Sequence, residues 1–275
     1  MRKTFIIILS VIFILSGCDY KLRPNEDDGD KRIEVKRYDR LQCQYLTTGD
    51  FAALQQMNTE FPIETRTLIE DILHIGEVDD PNISKTFLKY YQDSTLQVIM
   101  ADVQVEYANI DDINKGLNEA FDKLRNYIPG ISAPEFYAQV GDLEHSIVIG
   151  DGIVGISLDK YMGENYSIYR KYYNRSQRES MKRENIIPDC MFFYLLSLYP
   201  MENIEKRSQL ERDLHFGKIM WVSNLVVGRQ AFATRYVDRI DTYMKRKSLL
   251  TVQQLLSEDD YSDIIKTTGT EVTAR

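Results

Sequence analysis

Apolar and polar residues follow three patterns along this chain, and each change of pattern marks a boundary. Residues 4–15 are an almost unbroken apolar run behind Arg2 and Lys3, and Leu15-Ser16-Gly17-Cys18 follows at once. At about 1.5 Å of rise per residue, that run is too short to span about 30 Å of hydrocarbon. A basic start, an apolar stretch and small residues before a cut make a secretory signal. A cysteine at the cut can take a diacylglyceryl group on its thiol and a further acyl chain on its freed amine. Two or more chains anchor stably where one does not. The expectation is a signal peptide over 1–17, a mature chain starting at lipidated Cys18, a flexible acidic tether over 18–31 and one globular domain over 32–275. The tether is rich in Asp, Asn, Pro and Gly, and Tyr20 and Leu22 are its only large apolar residues.

Beyond the tether, Ile33 to Leu41 alternates, with Ile33, Val35 and Tyr38 on one side, which predicts a strand. Helical spacing then takes over. Asp50 to Asn58 carries Phe51, Leu54 and Met57, and Phe61-Pro62 ends it. Thr65 to Leu73 predicts another helix, and Asp79-Asp80-Pro81-Asn82 a turn. Ser84 reads as the cap of a helix bearing Phe87, Leu88 and Tyr91, and Asp93 or Ser94 as the cap of the next. Ile110 to Asn126 has the clearest stripe: Ile113, Leu117, Ala120, Phe121 and Leu124, with charges opposite. Glu135 to Val140 is short and mixed. Ser146 to Leu158 then holds two β-branched runs split by Gly150-Asp151-Gly152, a hairpin signal, and Gly155 predicts a bulge or a close backbone approach. Helices return at Asp189–Tyr199, within Ile204–Leu225, at Arg235–Lys245, from Thr251 and at Tyr261–Ile265. The fold class is α+β: a mainly helical single domain with a small central antiparallel sheet or hairpin.

Charge narrows the partners. The sequence has 34 basic and 42 acidic residues, a net −8, and loss of Arg2 and Lys3 with the signal makes it −10. Bulk electrostatics therefore argue against nucleic acid. After Cys18, Cys43 and Cys190 remain. Beyond the inner membrane they could staple the N-terminal segment to a central helix, or stand as two separate thiols.

Catalytic signals are sparse. His74, His145 and His215 show no i, i+4 pair of the kind zinc sites use. Gly150-Asp151-Gly152 with Gly155 lacks the helix and the Lys-Ser/Thr of a phosphate loop, and no G-x-S-x-G elbow occurs. Cys190 has no cationic neighbour in sequence to activate it. Neither a catalytic residue nor a metal or other cofactor is assigned. One segment is unusual. Tyr161 to Arg183 interleaves five tyrosines with six arginines and lysines inside an acidic chain. Tyrosine and arginine favour recognition surfaces, so Tyr169, Arg170, Tyr173 and Arg175 are a candidate partner surface. The same pattern fits an amphipathic helix with packed tyrosines and solvated charges.

Several segments together resemble the gliding-motility-associated lipoprotein B family of the Bacteroidetes. They are the signal ending at Cys18, Arg37-Tyr38-Asp39, Ile149-Gly150-Asp151, the stretch Gly155-Ile156-Ser157-Leu158-Asp159-Lys160-Tyr161-Met162-Gly163, Asn185-Ile186-Ile187-Pro188, Gly217-Lys218-Ile219-Met220-Trp221, Leu255-Leu256 and Asp260-Tyr261. The resemblance implies an accessory role in gliding or the associated secretion machinery. It also implies a distant similarity to H-E-x-x-H zinc peptidases. There the helix Asp189–Tyr199 would carry the paired histidines, and Phe216-Gly217 would stand where a ligand Glu-Gly belongs; this chain has none of those ligands.

The expected function is a lipid-anchored, non-catalytic envelope protein that binds envelope proteins on a degenerate peptidase-like scaffold. It would meet the membrane through its N-terminal lipid. The alternatives are an envelope hydrolase with an unconventional site and a lipoprotein holding a small ligand.

Overall fold

A three-stranded sheet sits at the middle of the chain, and helices enclose it. The computed structural model describes residues 32–268; the signal segment, Cys18, the tether and residues 269–275 lie outside the described residues. The hairpin forms as its β-branched runs predict: β2 (Ile147–Ile149) and β3 (Ile153–Ser157) are antiparallel, with Gly152 at φ +71° in the turn. β1 (Glu135–Gln139) pairs with the other edge of β3 and is parallel to it, giving the order β1-β3-β2. The sheet is therefore mixed, not antiparallel throughout. The chain reverses between β1 and β2, and β3 enters the gap between them, so it must run with the first. All five β3 residues are buried, because helices cover the sheet.

Gly155 faces Tyr137 across this register, and a Cβ on Gly155 would lie 2.5 Å from the Tyr137 Cζ and hydroxyl. Close approach of an aromatic side chain, not a bulge, explains the glycine.

The strand expected over Ile33–Leu41 is cut short. Ile33 and Val35 are buried as their alternation requires, but only Lys36 pairs, in a bridge to Tyr137. Asparagine side chains take the other backbone groups. Asn118 accepts from Ile33 N–H at 2.9 Å and donates to its carbonyl at 2.8 Å, and Asn114 accepts from Val35 N–H at 2.9 Å. Helix α1 (Tyr38–Thr48) begins directly afterwards. Arg37 clamps the buried Asp39 carboxylate in the first turn through two bonds of 2.8 and 2.7 Å.

The next helices follow their caps. Asp50 accepts from Ala52 N–H to open α2 (Phe51–Glu60). Pro62 occupies the first turn of α3 (Pro62–Arg66), which widens into a π-helical turn over Thr67–Ile72. Helix α4 (Ile83–Tyr90) starts one residue before Ser84, which lies inside the first turn and caps nothing. Asp93 caps α5 (Ser94–Glu106), and α6 (Asp111–Tyr127) buries the stripe read from sequence.

After the sheet come two short helices, α7 (Tyr169–Tyr172) and α8 (Arg175–Glu179), then α9 (Ile186–Leu198). Helix α10 (Gln209–Val227) opens on a reciprocal Ser208/Glu211 capping box and stops at Gly228. Helices α11 (Arg235–Arg246), α12 (Val252–Ser257) and α13 (Ser262–Thr268) follow. Helix α10 packs against α6, α9 and α11, α1 packs on β1, and α9 packs on β2 and β3. The result is the mainly helical α+β domain expected.

Tyrosine dominates the core. Tyr38, Tyr45, Tyr91, Tyr107, Tyr137, Tyr161, Tyr169 and Tyr261 are all fully buried. A buried phenol adds apolar area but needs a partner for its hydroxyl. Tyr45 donates to the Ser84 carbonyl at 2.8 Å, Tyr107 to the Tyr161 carbonyl at 2.6 Å and Tyr91 to the Val140 carbonyl at 2.8 Å. These bonds tie irregular backbone to helices, since the accepting carbonyls of Val140 and Tyr161 lie outside any helix or strand.

Candidate functional site

The stretch Gly155–Gly163 leaves the central strand and enters the Tyr/Arg segment. Asp159 organises it. The carboxylate is fully buried and accepts from Gly141 N–H at 2.7 Å and Leu143 N–H at 2.9 Å. Burial raises its pKa to about 6, against the lowering pull of those two N–H groups. Leu143 stands at φ +68°, a left-handed conformation costly for a side-chain-bearing residue. Asp159 holds its N–H, and the Tyr173 hydroxyl donates to its carbonyl.

The neighbours of Asp159 are equally committed. Lys160 lies 4.5 Å from the Tyr173 ring centroid, and burial lowers its pKa. Tyr161 donates to Asp189 at the start of α9. Burial raises the Asp189 pKa to about 6, with the Tyr161 hydroxyl pulling it down. Met162 N–H donates to the Tyr169 hydroxyl at 3.0 Å, and that hydroxyl donates to the Asp159 carbonyl. The Gly155–Gly163 residues therefore shape and lock this backbone.

That lock separates the four candidate surface residues. Tyr169 is fully buried, and Tyr173 is partly buried with its hydroxyl bonded inward. Both support the segment from below: the Tyr169 hydroxyl bonds two backbone groups and the Tyr173 hydroxyl one. Arg170 and Arg175 are exposed above them. The segment is two short helices with turns, not one amphipathic helix. Arg170 and Arg175 share a cavity of about 290 Å³ with Arg178, Glu164, Asn165 and Glu179. The sequence reading passed over Arg178, Asp159 and the Tyr161–Asp189 pair. Asp159 alone had a signal, a lone acid leaving an apolar strand.

Helices α9 and α10 face each other through aromatic rings. Phe192 of α9 has its centroid 6.4 Å from Phe216 of α10 and 5.5 Å from Phe232. Gly217 permits close helix packing, since a Cβ there would lie 2.8 Å from the Tyr236 Cβ. His74 and His145 are exposed. His215 is buried, with Nδ1 2.8 Å from the Tyr261 hydroxyl. Burial, joined by the charge of nearby Lys218, lowers its pKa to about 4. Lys218 is itself buried and donates to the carbonyls of Leu256 and Glu258 at 3.0 and 2.5 Å, fastening the end of α12 to α10. Cys43 and Cys190 are separate free thiols, so no staple joins α1 to α9. Among the described residues, no group of three or more His, Cys, Asp or Glu is placed to hold a metal ion, and no helix is long and apolar enough to cross a membrane. A shallow groove of about 550 Å³ lies between α10 and α11, with Trp221, Asn224, Asp238 and Asp241 in its wall.

Residues 19–235 match the family described as gliding motility protein GldB, and the chain belongs to that family, a gliding-motility-related group of membrane-anchored envelope lipoproteins. The matched span ends at the start of α11, so the Leu255-Leu256 and Asp260-Tyr261 resemblance lies beyond it. No curated protein and no solved structure matches the chain.

Proposed function

We propose that this protein is a non-catalytic accessory component of gliding or secretion-type machinery, held at the envelope membrane by its Cys18 lipid and acting by capturing other envelope proteins. The observation that supports this most is the Phe192–Phe216 contact between α9 and α10, with Phe232 of the following loop also against Phe192. The rings of Phe192, Phe216 and Phe232 carry no donor atom for a metal ion, and Gly217 serves helix packing. The polar groups buried near Asp159 are spent on backbone, while Arg170 and Arg175 face solvent. Arginine at an exposed, firmly supported position is suited to charge-assisted bonds with a partner's acidic groups.

The test is crosslinking capture from native membranes with the full chain. Wild type should retain a defined set of envelope proteins, and Arg170→Glu with Arg175→Glu should lose them while folding normally. Equal capture by the double variant would move the binding surface elsewhere. Stoichiometric zinc that survives dialysis of the purified full chain would overturn the non-catalytic reading and restore a hydrolase.

A further inference from the structure

We propose that Arg170, Arg175 and Arg178 form a binding pocket for a phosphate group. The three side chains line one cavity of about 290 Å³, together with Glu164, Asn165 and Glu179. Residues 160–183 carry seven Lys/Arg against two Glu, in a chain whose net charge is −8. The opening itself is lined by three arginines against two glutamates, a local excess of positive charge.

The guanidiniums are under-used. Among the described residues Arg170 has no hydrogen-bond or ion-pair partner. The Arg175 side chain is 89% exposed, and its nearest acid, Glu179, is 3.7 Å away. Arg178 donates from one terminal nitrogen to the Glu164 carbonyl at 2.8 Å, but its Nε is buried and has no acceptor. The other terminal nitrogen of Arg178 makes no hydrogen bond among the described residues and can donate to an oxyanion in the cavity. Lys182 holds the Glu164 carboxylate at 2.9 Å, which reduces the repulsion an incoming anion meets.

The arginines also stand on fixed backbone. Tyr169 and Tyr173 pin α7 from beneath, and the reciprocal Asn174/Gln177 capping box sets the start of α8 between Arg170 and Arg175. Little ordering remains to be done on binding. The number of donors favours phosphate over carboxylate. One guanidinium fork satisfies both oxygens of a carboxylate, whereas the oxygens of a phosphate group can engage three. A lipid headgroup and a soluble sugar phosphate share this chemistry. The inference rests on the reading of this face as the working surface.

The experiment is isothermal titration of the full chain in non-ionic detergent micelles. The probes are inorganic phosphate, a glucose phosphate and micelles doped with phosphatidic acid. Saturable binding is expected, weakened about tenfold in Arg170→Ala, partly restored in Arg170→Lys and weakened by added salt. Thermal unfolding of both variants should match wild type. A response to the soluble phosphates assigns a soluble ligand, and a response to phosphatidic acid alone assigns a headgroup; either supports the pocket. Absence of saturable binding to every phosphate probe, equal binding by Arg170→Ala with Arg175→Ala, or binding of a poly-glutamate peptide without binding of phosphate would each overturn it. If phosphate fails while charge reversal still abolishes partner capture, the accessory-protein reading stands and the phosphate pocket falls. If phosphate binds while charge reversal leaves capture intact, the reverse holds.

Discussion

The Tyr161 hydroxyl donates to the Asp189 carboxylate at 2.8 Å, joining the turn after the central strand to the first turn of α9. The two residues are 28 positions apart in sequence, yet the pair fixes how the Tyr/Arg segment leaves the core. Both groups are held by burial in their neutral-favouring direction. A tyrosine–aspartate bond of this kind positions backbone; its partners are a strand exit and a helix start. The expected consequences of this arrangement can be measured.

Asp159→Asn should destabilise the fold by about 2–3 kcal/mol, because one of two buried N–H donors loses its acceptor and meets an amide NH₂ instead. Urea unfolding of the full chain measures it. A change within about 0.5 kcal/mol, the usual range for a surface substitution, would show that the Gly141 and Leu143 bonds do not hold this turn.

Gly155→Ala should cost about 1–3 kcal/mol by overpacking against the Tyr137 ring. In a Tyr137→Ala background the same substitution should cost much less. A double-mutant cycle reads the coupling directly. Additive losses would place the strain elsewhere.

Stability against pH has two opposing contributions. The folded pKa of His215, about 4, lies below its ordinary 6.5, so the unfolded chain takes the proton first. Its contribution is complete above the higher value and lost as pH falls to the lower one. For Asp159 and Asp189 the folded pKa, about 6, lies above the ordinary 3.8, so the folded chain takes the proton first and gains stability as pH falls through that window. Two carboxyls outweigh one imidazole, so the unfolding midpoint of wild type should rise between about pH 7 and about pH 5. Asp189→Asn should remove that rise, and His215→Gln should enlarge it. Parallel profiles for all three proteins would contradict these assignments.

Tyr169→Phe should lower stability by about 1–2 kcal/mol, since its hydroxyl bonds both Met162 N–H and the Asp159 carbonyl. Arg170→Glu and Arg175→Glu should each stay within about 0.5 kcal/mol. Melting curves of the three variants distinguish the support from the surface it carries.

Cys18→Ala should leave the precursor unlipidated and unprocessed by the lipoprotein route. Mass spectrometry of the mature N-terminus checks it. An unmodified N-terminus at another residue in wild type would sink the anchor assignment.

Elements that repeat locally were legible in the sequence. Ile113, Leu117, Ala120, Phe121 and Leu124 declare α6 by spacing alone, and two β-branched runs around Gly150-Asp151-Gly152 declare the hairpin. Pairing between distant segments was not. The parallel join of β1 to β3 depends on how the chain reverses through residues 140–146, which no periodicity encodes. Ile33 and Val35 gave the correct burial but the wrong element, because Asn114 and Asn118 of α6 replace a strand's hydrogen bonds. The candidate surface was half visible: arginine exposure follows from charge, whereas a tyrosine is equally suited to a recognition face and to a core with a waiting carbonyl. Tyr169 takes the second role because the turn at Asp159 presents that carbonyl beneath it.

The turn from Val140 to Leu143 has no regular secondary structure, yet side chains occupy its backbone groups almost as completely as a helix would. Gln42 and Tyr91 take those of Val140, Tyr91 also takes the Gly141 carbonyl, and Asp159 and Tyr173 take both groups of Leu143. Solvent exchange at these amides then requires the core itself to open. The Gly141 and Leu143 amides should exchange with deuterium as slowly as those in the middle of α6, making an irregular turn one of the last parts of the domain to let water in.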